Sequence, residues 1–179
     1  MESHVRDFDA GLETPPNNNT ILMTTDSIAV LQRIYGGPDV TGMGSSVTSC
    51  VLVAGEDLEG AARKRYQVSC GHLWERFGPE NWLGQWAEVY RRPVGSKGNI
   101  VQEIREIPDD LAALAASMLL DNIENPEAAK RALETEFNDA AIQQFVIYRL
   151  GDGDAYSGVL LAAQRDSNQP ITFLTFLMD

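Results

Sequence analysis

A chain of 179 residues, 44% hydrophobic and 22% charged, is long enough to bury a core of its own as one domain, without disulfides or metal. Its 14 Lys and Arg against 26 Asp and Glu give a net charge of −12, which argues against unassisted binding to nucleic acid or anionic lipid and for either solubility or a basic protein partner. No apolar run approaches the roughly 18 residues of a membrane span, no basic-then-apolar leader opens the chain, and two cysteines do not make a disulfide scaffold, so the expectation is a cytoplasmic protein without membrane contact.

Pro15-Pro16 and Asn17-Asn18-Asn19 mark residues 1–20 as a mobile arm, with residues 21–179 as one domain. Asp26 or Ser27 caps a short helix to Tyr35, with Ile28, Leu31 and Ile34 or Tyr35 on one face and Gly36 as its stop. The glycine-rich stretch 36–46 has neither dinucleotide nor P-loop spacing and no lysine, so it reads as a connector. Residues 47–54, rich in Val and Thr, predict a strand, and 65–70 a second. If these pair antiparallel about Gly60, Cys50 faces Cys70. Pro79-Glu80-Asn81 opens a helix running to Arg92, on which Trp82, Trp86, Val89 and Tyr90 form a stripe, with Trp74 and Phe77 on a shorter turn before it. Residues 99–107 alternate as a short edge strand.

Pro108-Asp109-Asp110 starts the clearest helix, which ends near Ile123 and turns Leu111, Leu114, Ala115, Met118, Leu119 and Asn122 toward the sheet. Asn125 caps a further helix to Phe137 that buries Ala129, Leu133 and Phe137. Three strands close the chain, 144–150, 157–165 and 171–178, joined by turn signals at 151–154 and 166–170. They form an antiparallel meander whose last strand is too apolar to lie bare at an edge. The fold class is therefore α+β: a mostly antiparallel sheet ending in a C-terminal three-stranded meander, with helices packed largely on one face.

Chemistry is sparse. Cys50, Cys70 and His72 are the nearest approach to a zinc set, but Cys70-Gly-His72 lacks the knuckle spacing, and two buried thiols explain the cysteines better. Cys70 with His72 as base lacks an orienting third group, so neither is assigned a catalytic role. The run 151–158 opens like a calcium loop and then departs from it at Tyr156, Ser157 and Ala163; a hairpin turn fits better. The carboxylates Asp109-Asp110 and Glu134/Glu136 read as helix-dipole and wet-face residues. No cofactor is expected.

Without a complete catalytic set, the expected function is a non-catalytic acidic module that binds protein as an adaptor, inhibitor or secretion-chaperone-like homodimer. Its contact surface would be a sheet edge or the tryptophan segment Trp74, Trp82, Trp86 and Tyr90. The alternative is a small-molecule-binding domain or weak enzyme with a pocket near Trp82 and Trp86.

Overall fold

The computed structural model describes residues 18–37, 43–121, 124–166 and 168–179, with side chains from residue 26 onward. Residues 1–17 of the expected arm, 38–42 of the glycine-rich stretch, and Asn122 lie outside the described residues. The order of elements is α1 (Asn18–Tyr35), β1 (Gly44–Cys50), α2 (Leu58–Cys70), α3 (His72–Phe77), α4 (Pro79–Leu83), β2 (Ala87–Arg91), α5 (Ile100–Arg105), α6 (Asp110–Asp121), α7 (Pro126–Phe137), β3 (Gln144–Gly151), β4 (Ser157–Gln164) and β5 (Ile171–Met178). Among the described residues no helix is long and apolar enough to cross a membrane.

The strands form one five-stranded sheet in the order β1-β5-β4-β3-β2, and every neighbouring pair is antiparallel. The C-terminal meander is its centre. β4 pairs with β3 from Gln144↔Gln164 to Gly151↔Ser157, and with β5 from Ser157↔Met178 to Ala163↔Thr172. β5 lies between β1 and β4, which removes its apolar residues from the edge. The β3–β4 turn is closed by Asp152, whose Oδ1 accepts from the amides of Asp154 (3.0 Å) and Tyr156 (2.8 Å). Turn geometry matters here because a strand that is apolar on both sides has no polar face to specify its register.

Both faces of the meander are buried, and each is covered by its own group of helices. Phe145, Ile147, Val159, Leu161, Ala163 and Leu174 pack under α1, α5, α6 and α7. Val146, Tyr148, Leu150, Leu160, Ala162 and Phe173 pack under α2, α3 and α4. The larger share of helix thus lies on one face. The excursion from β1 to β2 covers one side and the excursion from β2 to β3 the other.

Several expected elements differ. The segment 65–70 is the end of α2, not a strand, because Asp57 caps it (Oδ1 accepts from the Gly60 amide, 2.8 Å) and Leu58, Ala61, Ala62, Tyr66 and Cys70 recur at helical spacing on its buried side. Cys50 therefore pairs with Ile171 instead of facing Cys70, and both thiols are free. The tryptophan helix stops at Leu83, and Ala87–Arg91 is a strand on β3. Residues 100–105 are helical: Asn99 caps them, and Ile100, Ile104 and Ile107 are buried at spacings of four and three. α1 begins at Asn18, so residues 18–20 belong to a helix and not to the arm.

Both sheet edges are blunted. On β1 the amide of Val47 donates to Gly36 O (2.9 Å) and its carbonyl accepts from Gln32 Nε2 (3.2 Å), so the middle residue of the edge is already paired within the chain. Gly36 reaches that position at φ 90°, where glycine is the residue without strain. The other edge, β2, is five residues long and its register slips between Glu88 and Tyr90.

A buried carboxylate ties the layers together. Glu136 of α7, expected on a wet face, is 0% exposed. It accepts from Ser27 of α1, from Thr172 Oγ1 of β5 (2.5 Å) and from Arg165, at the end of β4, whose Nη2 lies 2.9 Å from Oε1. Arg165 also donates through Nε to Asp139 (2.8 Å). Removing one member strands a charge in the interior, so Arg165→Met is expected to destabilise the protein by about 3–5 kcal/mol in urea unfolding, the range for a broken buried pair. A loss below about 1 kcal/mol, the worth of an exposed pair, would contradict this role.

Candidate functional site

The aromatic residues singled out in the sequence do not form one site. Trp74, Trp82 and Trp86 gather around Tyr66, with ring centroids 5.6, 6.3 and 5.9 Å from it. Trp86 also stacks on Tyr148 at 4.5 Å, and Trp82 lies 5.3 Å from Tyr156. The indole of Trp82 donates to Leu73 O and that of Trp86 to Glu59, both at 3.0 Å. The indoles of Trp82 and Trp86 are thus bonded within the layer that covers the sheet; Trp82 is core, and Trp74 and Trp86 are half-buried against it. Tyr90 lies on the opposite face, beside Phe145, and donates to Glu103 (3.1 Å).

Cys70 and His72 separate as well. Cys70 is fully buried at the end of α2 beside Tyr66, whereas His72 is exposed at the start of α3. Burial pushes the Cys70 thiol up to about 12, and a hydrogen bond with Tyr66 only partly opposes it. A nucleophile needs the reverse shift and access. Among the described residues no group of three or more His, Cys, Asp and Glu is arranged to hold a metal ion, so Cys50, Cys70 and His72 do not form the zinc set considered above.

Two surface features of the described residues bear on function. The first is the outer face of α6. Asp109 caps this helix (Oδ1 accepts from the Ala112 amide, 2.9 Å) and is held by Arg149 of β3 at 2.6 Å. The buried face consists of Ala112, Ala115, Ala116, Leu119 and Leu120; Ala115 and Leu119 lie there as expected, but Leu111 and Leu114 do not. Alanines let the helix lie close to the sheet, and the bulkier Leu111 and Leu114 are left 52% and 56% exposed. Asp110 and Asp121, at either end of the same helix, are exposed too.

The second is a cleft of about 370 Å³ between the loop after β2 and the segment leading into β3. Arg92, Lys97, Gly98, Asn138, Asp139 and Ile142 are among its lining residues. Arg92, expected at the end of a helix, follows β2 instead; it is 8% exposed and bidentate to Glu103 of α5, with both contacts at 2.6 Å. Its guanidinium lies 4.5 Å from the centre of the Phe145 ring. Burial pushes the Asp139 carboxyl up, but the amide of Ala141 and the guanidinium of Arg165 outweigh it and hold the group below its ordinary range. The sequence does not bring Lys97 and Asn138 together, because they lie 41 residues apart in the chain, on a loop and at a helix end.

No family model, curated protein or solved structure matches the chain.

The thiols give a direct check. In a Cys50→Ser variant at pH 8, Cys70 should resist a disulfide-exchange reagent in the native state and react fully in denaturant. Stoichiometric labelling of the native variant within minutes would show an accessible, ionised thiol and restore Cys70 as a candidate nucleophile.

Proposed function

We propose that this protein is a non-catalytic binding module, and that the outer face of α6 takes a basic, apolar-faced helical segment of another protein. The observation that carries this reading is the exposed pair Leu111 and Leu114 on a helix whose opposite side is fully engaged. Two large exposed leucines one turn apart are what a helix-in-groove or helix-on-helix contact uses as anchors. Asp110 and Asp121 flank them, about 16 Å apart at 1.5 Å per residue, which suits three turns of a partner carrying lysine or arginine near both ends. The net charge of −12 favours such a partner and opposes a second acidic copy.

Two further observations support a helix-face contact over the alternatives. The blunted edges leave little for an added strand to pair with. The region around Trp82 and Trp86 is filled by packed rings, which gives no support to a small-molecule pocket there.

The test is an NMR titration of the ¹⁵N-labelled chain with a synthetic amphipathic helix of leucine and lysine. Saturable shifts centred on residues 110–121 are expected, with affinity at least tenfold weaker in the double variant Leu111→Ser/Leu114→Ser, since each buried leucine contributes about 1.5–3 kcal/mol. Equal affinity in that variant, or shifts mapping elsewhere, would refute the assignment. Light scattering separates the remaining occupant: a dimer that the same substitutions convert to monomer would mean that a second copy, not a basic partner, covers this face.

A further inference from the structure

We propose that the cleft between residues 92–98 and 138–145 is a binding site for a small oxyanion, the carboxylate or phosphate end of a small molecule, independent of the α6 surface. Its volume, about 370 Å³, falls within the range of about 300–1,000 Å³ of small-molecule sites. What selects an anion is the set of donors left over once the internal bonds are made.

Arg92 is the base of the site. Its Nε and one Nη donate to Glu103, which fixes the plane of the guanidinium, and Phe145 supports one side of it. Its Nη1 has no hydrogen-bond partner among the described residues. Gly98 lies on the guanidinium: a Cβ there would stand 2.8 Å from Cζ and Nη1, so any larger residue would lift the loop off the arginine. A nearly buried cation, held rigid and left with an unpaired N–H at a cleft wall, is a preorganised donor for an oxyanion.

Asn138 supplies a second donor of fixed orientation. Its Oδ1 accepts from the Ile100 amide at 2.8 Å, so the amide nitrogen is the end that remains. Lys97, exposed on the loop, is among the described cations without an acidic partner, as are Arg33, Arg65, Arg76, Arg105 and Arg131, and of these it is the one that lines the cleft. The one acid in the lining, Asp139, has both oxygens engaged, Oδ1 by the Ala141 amide (2.9 Å) and Oδ2 by Arg165 (2.8 Å), although Arg165 is shared with Glu136. Ile142 adds an apolar patch against which the body of a small organic anion would rest. In a protein of net charge −12, a concave site with one cation unpaired, one guanidinium N–H left over from an ion pair and an amide donor is not accounted for by solubility.

The experiment uses the full ¹⁵N-labelled chain, titrated separately with sodium phosphate and sodium benzoate, at ionic strength held constant with sodium chloride. Saturable shifts confined to residues 95–98 and 138–143 are expected with at least one of the two anions. Saturation by both supports the shared oxyanion chemistry, and saturation by one alone names the source. Lys97→Glu, on an exposed loop, should weaken binding about tenfold or more, the scale of one charge-assisted contact. Asn138→Asp keeps the oxygen that the Ile100 amide needs while replacing the donor with an acceptor, and should abolish saturation with the fold intact. Shifts that rise linearly with both anions, or saturation unchanged in both variants, would overturn the proposal.

Discussion

The constraint on which this structure depends is that its C-terminal meander is apolar on both faces. β4 has no exposed residue along its length, and its odd and even positions enter different cores. A sheet of that kind is unstable until both sides are covered. The chain meets the requirement with two excursions, one on each side of the sheet. The side formed by α1, α5, α6 and α7 is further anchored by Glu136, which draws α1, α7, β4 and β5 to one buried carboxylate. Apolar burial supplies the driving force, and the polar knot restricts how the helical layer sits, since shifting α7 would separate the carboxylate from its partners on α1, β4 and β5.

Function, on this account, lies in what the covering leaves over. A sheet covered on both faces offers only its edges and the outer surfaces of its helices. The edges are occupied or distorted, at Val47 by the end of α1 and at Glu88–Tyr90 by the change of register. On α6 the covering uses alanines, and this displaces two leucines outward between acidic ends. At the border between β2 and the α5 layer, the ion pair of Arg92 and Glu103 closes the core but leaves part of the guanidinium for the cleft. Both surfaces are by-products of how the layers pack, which is why neither stands out as a motif.

Much of the architecture was legible. α7 starts where Asn125 and Pro126 put it and ends at Phe137 as expected, and the three terminal strands lie within a residue of their expected bounds. The failures share a physical origin. The stretch 65–70 and α5 are short, so a few apolar residues fit a period of 2 and of 3.6 alike; the caps Asp57 and Asn99 are the better signal. In β2 the spacing Trp82, Trp86, Tyr90 mimics one helix face, yet the three belong to a helix, a loop and a strand on two sides of the sheet. In α6 almost every residue is apolar, so periodicity cannot choose the buried face, and the closeness of helix and sheet decides it. The wet-face assignment of Glu136 failed because the hydroxyls and guanidinium that satisfy it come from distant parts of the chain. The cleft was invisible for the same reason.

Native-state hydrogen exchange across a denaturant series tests the two-sided covering most directly. If both helical layers are integral, the amides of β4 and the β4-facing amides of β5 should exchange only through global unfolding, with the full denaturant dependence of that transition. If instead β4 amides exchange through a sub-global opening of small denaturant dependence, while the α6–α7 side stays protected, then the layer of α2–α4 is a loose cover, and the meander is not the doubly buried centre on which this account rests.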